Sequence, residues 1–557
     1  MTPIVVVTAL AFSLSSRIDQ YLTRTVPFGF SGTVLVADHG RVILKKGYGL
    51  ADRKRGIRNR ADTIYDMGSI TKAMTATAIM MLVEEHRIAV DDPLTKYFDH
   101  VPADKQSITL AQLLTHTAGI VDLTGGDYDP VSREQLVHDA LHAPLVSKPG
   151  AEWHYSNAGY SLLAAVIEKV SGRAYETFMR ERVFKPAGMR DTGYLLPASK
   201  ASRVAHTYTT PVDHGTPLER LQRSGGAHWV LLGNGGLLTT ADDMLRFWQA
   251  RLLGAETLKR MYTPRIAINA NEQQAYGWHI EGDVVQHGGD APELGVNAYY
   301  ESNPAEQSLI VVLANSRENG ASTRRAVVPV IRRLMHGESV EVPDVVPSNP
   351  ATHAGIYKLP DGSTFDVCVD RDHLIIRANG QSAIDALTLQ RGDASLAARR
   401  DLNAKAAALY PGAEILGTSR RDRGVFMTTI RRGGEVLRFA WSKGEPVPES
   451  DDGALPMASP LLSRSPVRHA LERVAWRERG GEGFVFYDIF AAAPIHIEFH
   501  GEAMTVGAQN SLRNTTFATK PSCALRPIVL PMSSRSSVPH GPTVWPAMPR
   551  PWNGSRE

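Results

Sequence analysis

The chain has 557 residues, 43% of them hydrophobic and 21% charged, with a formal net charge of +3. That length exceeds one ordinary domain and that composition fills a core, while the near-balance of charge gives no basis for a nucleic-acid or membrane-surface protein. The basic excess is local: from Arg513 onward six Lys or Arg face one acid, a net of +5 that leaves about −2 for the rest. The only cysteines, Cys368 and Cys523, lie far towards the C-terminus and exclude a disulfide framework for the main fold.

In chain order, "MTPIVVVTALAFSLSS" carries an apolar run from Ile4 to Leu14. It is too short to span a bilayer and lacks a basic start, so residues 1–17 read as a degenerate export-signal segment and no integral membrane segment is expected. The compartment stays open between exported and cytoplasmic. "SGTVLVADHGRVILKKGYG" has two alternating apolar runs about Asp38-His39-Gly40, which predicts a β-hairpin. "RKRGIRNR" holds five basic residues without aromatics and reads as a solvated loop. Ile70, Ala73, Met74, Ala78, Met81 and Leu82 recur at helical spacing, predicting a buried helix from Ile70 to about Glu85 with Ser69 in its first turn.

Residues 90–260 read as mostly helical, with Ser161 to Val170, Tyr175 to Phe184 and the Thr/Asp-capped "TTADDMLRFWQARLL" as examples. "YGWHI", "DVVQHGG", "VNAYYES" and "SLIVVLANS" then read as antiparallel strands and "TRRAVVPVIRRLM" as a closing helix. The pattern predicts an α+β fold: an antiparallel sheet built from both ends of residues 18–336, flanked by helices, with a helical insertion packed against it. "HGESVEVPDVVPSNP" marks a linker over 337–349, short strands mark a β-rich domain over 350–509, and the proline- and serine-rich 510–557 reads as a disordered tail.

Three motifs carry chemistry. Ser69 and Lys72 stand three apart on one helix face, where a buried lysine loses its charge readily and a neutral amine can take a hydroxyl proton. A cap serine with a solvated lysine is the competing reading. Tyr155 and Asn157, two apart in "WHYSNAGY", can enter one cavity as a base and an orienting amide, or pack in a turn as a tyrosine and a helix cap. His287, Gly288, Gly289 and Asp290 follow a strand, where glycines let a substrate approach and an edge N–H can serve an oxyanion; a plain hairpin turn is the alternative. His138 and His142 at i,i+4 lack a third metal ligand and read as an exposed helix face. His116 reads as a hydrogen-bonded structural residue at a helix end. The absence of G-x-S-x-G excludes a nucleophile elbow.

With these motifs in one order, residues 18–334 resemble the serine hydrolases of the penicillin-binding-protein and class C β-lactamase type, including family VIII-type carboxylesterases and D-aminopeptidases. "GSITKAM", "YSNAGY", "LLTHTAGI", "GNGGLLTTADDMLRF" and "YGWHI" carry the resemblance. It implies Ser69 as acylated nucleophile, Lys72 as its activator, Tyr155 as general base and acid, and Asn157 as a substrate-orienting amide. The third motif begins at His287, and the oxyanion hole would be the N–H groups of Ser69 and Asp290. No metal and no organic cofactor are implied. Where lactamases show K-T-G this chain has His287-Gly288-Gly289, so a charged partner for a β-lactam carboxylate is missing and weak or no β-lactamase activity is implied. "HAGIYKLPDG" and the strands after it are similar to a lipocalin-like domain found beside some of these hydrolases. The resulting expectation is an esterase acting on small carboxylic esters. A D-aminopeptidase or D-Ala-D-Ala carboxypeptidase is the first alternative, and a non-catalytic peptidoglycan-binding or sensor protein the second.

Overall fold

A helix α1 (Leu14–Thr25), whose N-terminal N–H of Ser16 is accepted by the Ser13 side chain, leads into the hairpin of β1 (Gly32–Asp38) and β2 (Arg41–Tyr48). His39 and Gly40 between them both have positive φ, at 45° and 76°, the backbone that matches a two-residue turn to the strands' twist. The computed structural model describes residues 13–122, 126–209, 212–318, 321–387, 393–420, 426–432, 435–442, 445–448, 463–464, 471–480, 483–488, 493–500, 503–507 and 516–519.

The sheet is completed some two hundred residues later by β3 (Ile266–Ala267), β4 (Gln273–Gln274), β5 (His279–Glu281), β6 (Val284–Ala291), β7 (Val296–Asn303) and β8 (Ser308–Ala314). Its order is β2-β1-β8-β7-β6-β5-β4-β3, and the pairing of Gly32 with Ala314 joins both ends of the segment, as the alternating runs predict. Period-2 alternation gives the central strands β1 and β8 two apolar faces. Leu35, Ala37, Val311 and Leu313 pack on one side against α2 (Thr71–Glu84), the helix predicted from Ile70. Val34, Val36, Ile310 and Val312 pack on the other against Ile18 and Leu22 of α1 and Val327 and Ile331 of α6 (Thr323–Met335). The apolar spacing in α2 suggested a stripe, yet Thr71 to Met80 are all buried. The insertion wraps the helix, which is why small and hydroxyl residues occupy what would be its outer face.

That insertion includes α3 (Arg133–His142), α4 (Asn157–Ser171) and α5 (Ala241–Gln249). It is less helical than its patterning suggests. Two-residue strands at Tyr208–Thr209, Val212–Asp213 and Leu238–Thr239 lie between the helices, and Tyr175 to Phe184 splits into a short α-helix and a π-helical turn.

Beyond it, β9 (Val345–Val346), β10 (Gly355–Lys358), β11 (Thr364–Asp370) and β12 (His373–Asn379) precede α7 (Gln381–Ala386) and α8 (Asp393–Leu409). These two helices interrupt a stretch that reads as strands throughout. A separate sheet follows: β13 (Glu414–Arg420), β14 (Phe426–Arg432), β15 (Glu435–Ser442), β16 (Glu445–Pro448) and β17 (Ser463–Arg464). Then come β18 (Leu471–Glu478), β19 (Phe484–Asp488), β20 (Ala493–His500), β21 (Ala503–Gly507) and β22 (Thr516–Thr519). The order β9-β18-β12-β11-β10-β22-β21-β20-β19, with β18 also pairing β19, closes eight antiparallel strands into a ring. Phe365, Val367, Leu374, Ile376, Ile497 and Val506 belong to its apolar cluster.

Two composition-based boundaries are adjusted by this pairing. The linker span 337–349 is tied down at β9 and by the N–H of Arg479 on the Asp344 carbonyl, 2.8 Å. The span 510–557, expected to lack structure, contains β22, whose four residues are held by β21 and β10 rather than by any local pattern. Residues 508–515 and 520–557 lie outside the described residues, as does most of the 1–17 signal-like segment.

Strand β19 serves two cores. Phe484 and Phe486 face the ring's interior cluster, while Val485 and Tyr487 join the cluster of α1 and α6. Trp476 donates to the Pro27 carbonyl at 2.9 Å, and the Phe28 and Tyr487 rings stand 5.8 Å apart. The ring therefore seals the α1 face of the large sheet, whereas α2, with Ser69 just before it, lies on the opposite face.

Candidate active site

Ser69 is placed by a tight turn. The short strand Tyr65–Asp66 pairs with Leu238–Thr239, and Asp66 accepts the N–H of Gly68 at 2.7 Å. Gly68 takes φ +50°, and a 3₁₀ turn over Gly68–Ile70 runs into α2. Ser69 thus stands half-exposed at a helix N-terminus, where the backbone dipole favours negative charge. Strand β6 presses against this turn. A Cβ on Gly289 would lie 1.9 Å from the Met67 carbonyl oxygen, and one on Gly68 would lie 3.0 Å from the Asp290 nitrogen. Strand β5 pairs with β6 only through Val284–Gln286, so the following residues flank the serine turn on that side. Gly289→Ala is accordingly expected to push the turn away at a cost of about 1–3 kcal/mol, lowering the melting temperature by several degrees. A thermal melt of the variant beside wild type checks this.

Lys72 is fully buried, one turn beyond Ser69. Its Nζ lies 3.2 Å from Ser69 Oγ, 2.6 Å from Asn157 Oδ1 and 2.8 Å from the Asn234 carbonyl oxygen. It also sits 4.6 Å from the Tyr155 ring centroid. Burial pushes its pKa down from 10.5 to about 7, against the opposing pull of Asp122 and Asp127. A neutral amine has two N–H bonds and one lone pair. Charged, Lys72 donates to Asn157 Oδ1, the Asn234 carbonyl and Ser69 Oγ; once neutral, its two N–H bonds stay with the two pure acceptors and its lone pair turns to the serine hydroxyl.

Asn157 opens α4, with Ser156 as N-cap accepting from Gly159 N at 3.1 Å. Which way its amide points is set by Asp122, which accepts from Asn157 Nδ2 at 2.8 Å and from the backbone N–H of Asn157 and Ala158 at 2.7 and 3.1 Å. The donor end is thereby tied to the carboxylate and Oδ1 turns to Lys72. Burial raises the Asp122 pKa, while these N–H groups and Lys72 oppose the rise. Sequence reasoning missed Asp122, because an acid 35 positions before the helix it caps leaves no local signal. It also missed the Asn234 carbonyl, a backbone atom held by the Asn234 amide's own bonds to Ser161 Oγ and the Val230 carbonyl.

Tyr155 lies beside Lys72 and stacks on His116, with ring centroids 4.4 Å apart. His287 is buried on β6 opposite Tyr300, its Nδ1 2.7 Å from the Gly288 carbonyl and its ring 5.0 Å from that of His279. Gly288, Gly289 and Asp290 follow it opposite Tyr299, Ala298 and Asn297. The structure thus brings Ser69, Lys72, Tyr155 and Asn157 into one cluster and lays the third motif along the serine turn. His138 and His142 stack on each other at 4.2 Å on the outside of α3, and no group of three metal-ligand side chains gathers among the described residues.

A family model described as Beta-lactamase matches residues 27–331, more than half of the chain. The chain belongs to the beta-lactamase family. Members of the beta-lactamase family are serine hydrolases, and the matched span holds every residue of the cluster. Among relatives, the PbpX protein of Bacillus subtilis is 30% identical over 314 residues, 55% of this chain and 75% of that one. Penicillin-binding protein 4* of the same organism is 24% identical over 391 residues, 64% of this chain and 85% of that one. Among solved structures, an octameric penicillin-binding protein homologue from Pyrococcus abyssi matches 91% of this chain and 99% of its own at a TM-score of 0.52 and 20% identity, a likeness of fold. No helix among the described residues is long and apolar enough to cross a membrane.

Proposed function

We propose that this beta-lactamase-family protein hydrolyses small carboxylic esters through an acyl-enzyme on Ser69. What supports the reading is the three-way setting of Lys72, whose Nζ lies within hydrogen-bond distance of Asn157 Oδ1, the Asn234 carbonyl and Ser69 Oγ, so that its neutral form keeps two N–H bonds on the acceptors and offers its lone pair to the serine. Ser69 Oγ attacks the ester carbonyl as its proton passes to the Lys72–Tyr155 pair. The N–H groups of Ser69 and Asp290 hold the oxyanion, and Asn157 orients the acyl side. Tyr155 returns the proton to the leaving alcohol as the C–O bond breaks, and water, deprotonated by the same pair, releases the acid and restores the serine.

Esters come before amides because an alcohol leaves more readily than an amine. The third motif speaks against β-lactams alone: histidine at 287 and glycine at 288 supply no permanent cation or hydroxyl for a β-lactam carboxylate. The test is hydrolysis of p-nitrophenyl acetate and butyrate beside D- and L-alanyl p-nitroanilides, by wild type and Ser69→Ala. Ester turnover about 10⁴-fold or more above the variant is expected. Faster D-anilide than ester turnover would transfer the assignment to a D-peptidase, and equal ester rates in both proteins would end the serine assignment.

A further inference from the structure

His116 has no step in the proposed reaction, yet it holds Tyr155 in three ways. Its imidazole stacks on the phenol ring, centroids 4.4 Å apart and planes 29° from parallel. Its Nδ1 accepts the N–H of Ser156 at 3.1 Å, and its carbonyl accepts the N–H of His154 at 2.8 Å. The residues on both sides of Tyr155 are therefore bonded to the same residue that supports the ring.

This arrangement is costly to the fold. His116 takes φ +58°, a left-handed backbone that side chains seldom adopt. It is 2% exposed, and its Nε2 has no hydrogen-bond partner. With Nδ1 accepting, the neutral ring carries its proton on Nε2, so a buried donor goes unsatisfied. Burial first, and then the neighbouring Lys72, His279 and His287, hold the ring neutral, far below its ordinary pKa. An apolar ring would remove the orphaned Nε2–H only by leaving the N–H of Ser156 without its acceptor, so the imidazole is kept for what it does beside Tyr155. Strain and unsatisfied polar groups concentrate where geometry serves chemistry.

We infer that His116 is a positioning residue for Tyr155, fixing where the phenol oxygen stands relative to Ser69 and the leaving group through one ring stack and two backbone hydrogen bonds. The inference rests on the acid–base reading of Tyr155 given above. It differs from a role at a helix end, which would affect folding alone.

The test uses two variants of the full chain. His116→Phe keeps a stacking ring and loses the acceptor for Ser156. His116→Asn keeps an acceptor and tolerates the left-handed backbone but loses the stack. Each is assayed for kcat and KM on p-nitrophenyl butyrate, with the folded fraction measured by circular dichroism and Ser69→Ala run beside them. The expected result is a fall in kcat of about 10- to 100-fold in at least one variant, with KM within about twofold. A fall in one variant alone supports the inference and names the contact that matters. Full kcat in both variants while Ser69→Ala is inactive overturns it and leaves the esterase reading standing; so does a loss that disappears once rates are divided by folded fraction. An active Ser69→Ala would instead sink the reading on which the inference rests.

Discussion

Replacing Lys72 by methionine is expected to lower kcat/KM on nitrophenyl esters by about 10³- to 10⁴-fold while leaving the protein folded. The side chain is nearly isosteric and lacks only the amine, so what is lost is the group proposed to accept the Ser69 proton. The stability effect is a balance. Removing a buried group whose pKa has dropped from 10.5 to about 7 relieves a desolvation penalty on the order of a few kcal/mol near neutral pH. Against that, Asn157 Oδ1 and the Asn234 carbonyl lose their donor, at about 1–3 kcal/mol. The melting temperature should therefore stay within about 5 °C of wild type at pH 7. Two pH signatures follow in the wild type. Activity should fall below pH about 7, as the amine gains the proton that blocks it. Between about pH 7 and 10.5 the unfolded chain holds a proton at Lys72 that the folded chain has released, so this residue makes unfolding harder as pH rises through that window. The methionine variant should lose that slope. A variant with wild-type rates would remove the amine from the mechanism.

Deleting residues 338–557 is expected to lower the melting temperature by about 10 °C or more and to promote aggregation. Val485 and Tyr487 complete the cluster around Ile18, Tyr21 and Phe28, Val342 belongs to it and Trp476 packs on it. Removing several such side chains, at about 1.5–3 kcal/mol each, exposes an apolar face of α1 and the sheet behind it. Ester turnover per folded molecule should remain within about threefold, because Ser69 and Lys72 stand on the other face. Ending the chain at residue 519 should leave both properties unchanged, whereas ending it at 510 removes β22 and should destabilise the ring. Scanning calorimetry and active-site titration of the three truncations check this; an unchanged melting temperature for the first would show that the ring contributes nothing to the hydrolase segment.

How much of this was legible in the sequence depended on the range over which each signal acts. Ser69 and Lys72 could be paired because three residues of helix bring them together, and the hairpin about His39-Gly40 and strands such as Thr364–Asp370 show plainly in period-2 patterning. The match between "YSN" and the lysine it serves came from motif order rather than from distance. Asp122, the Asn234 carbonyl and the contact of Gly289 with Met67 were hidden: each is a tertiary contact, two of them through backbone atoms that carry no residue-specific signal. Helix α8 was passed over among strands because its alanine and arginine residues form only a weak apolar stripe. Strand β22 was missed because four residues between prolines and serines become a strand only when β21 is there to pair with.

The most direct measurement is mass spectrometry of the protein quenched during turnover of p-nitrophenyl butyrate, with peptide mapping of the adduct. A butyryl group on the peptide containing Ser69, absent in Ser69→Ala and no longer formed at a measurable rate in Lys72→Met, is the predicted result. Turnover with no acyl group on Ser69, or acylation that proceeds equally fast without the Lys72 amine, would contradict the account.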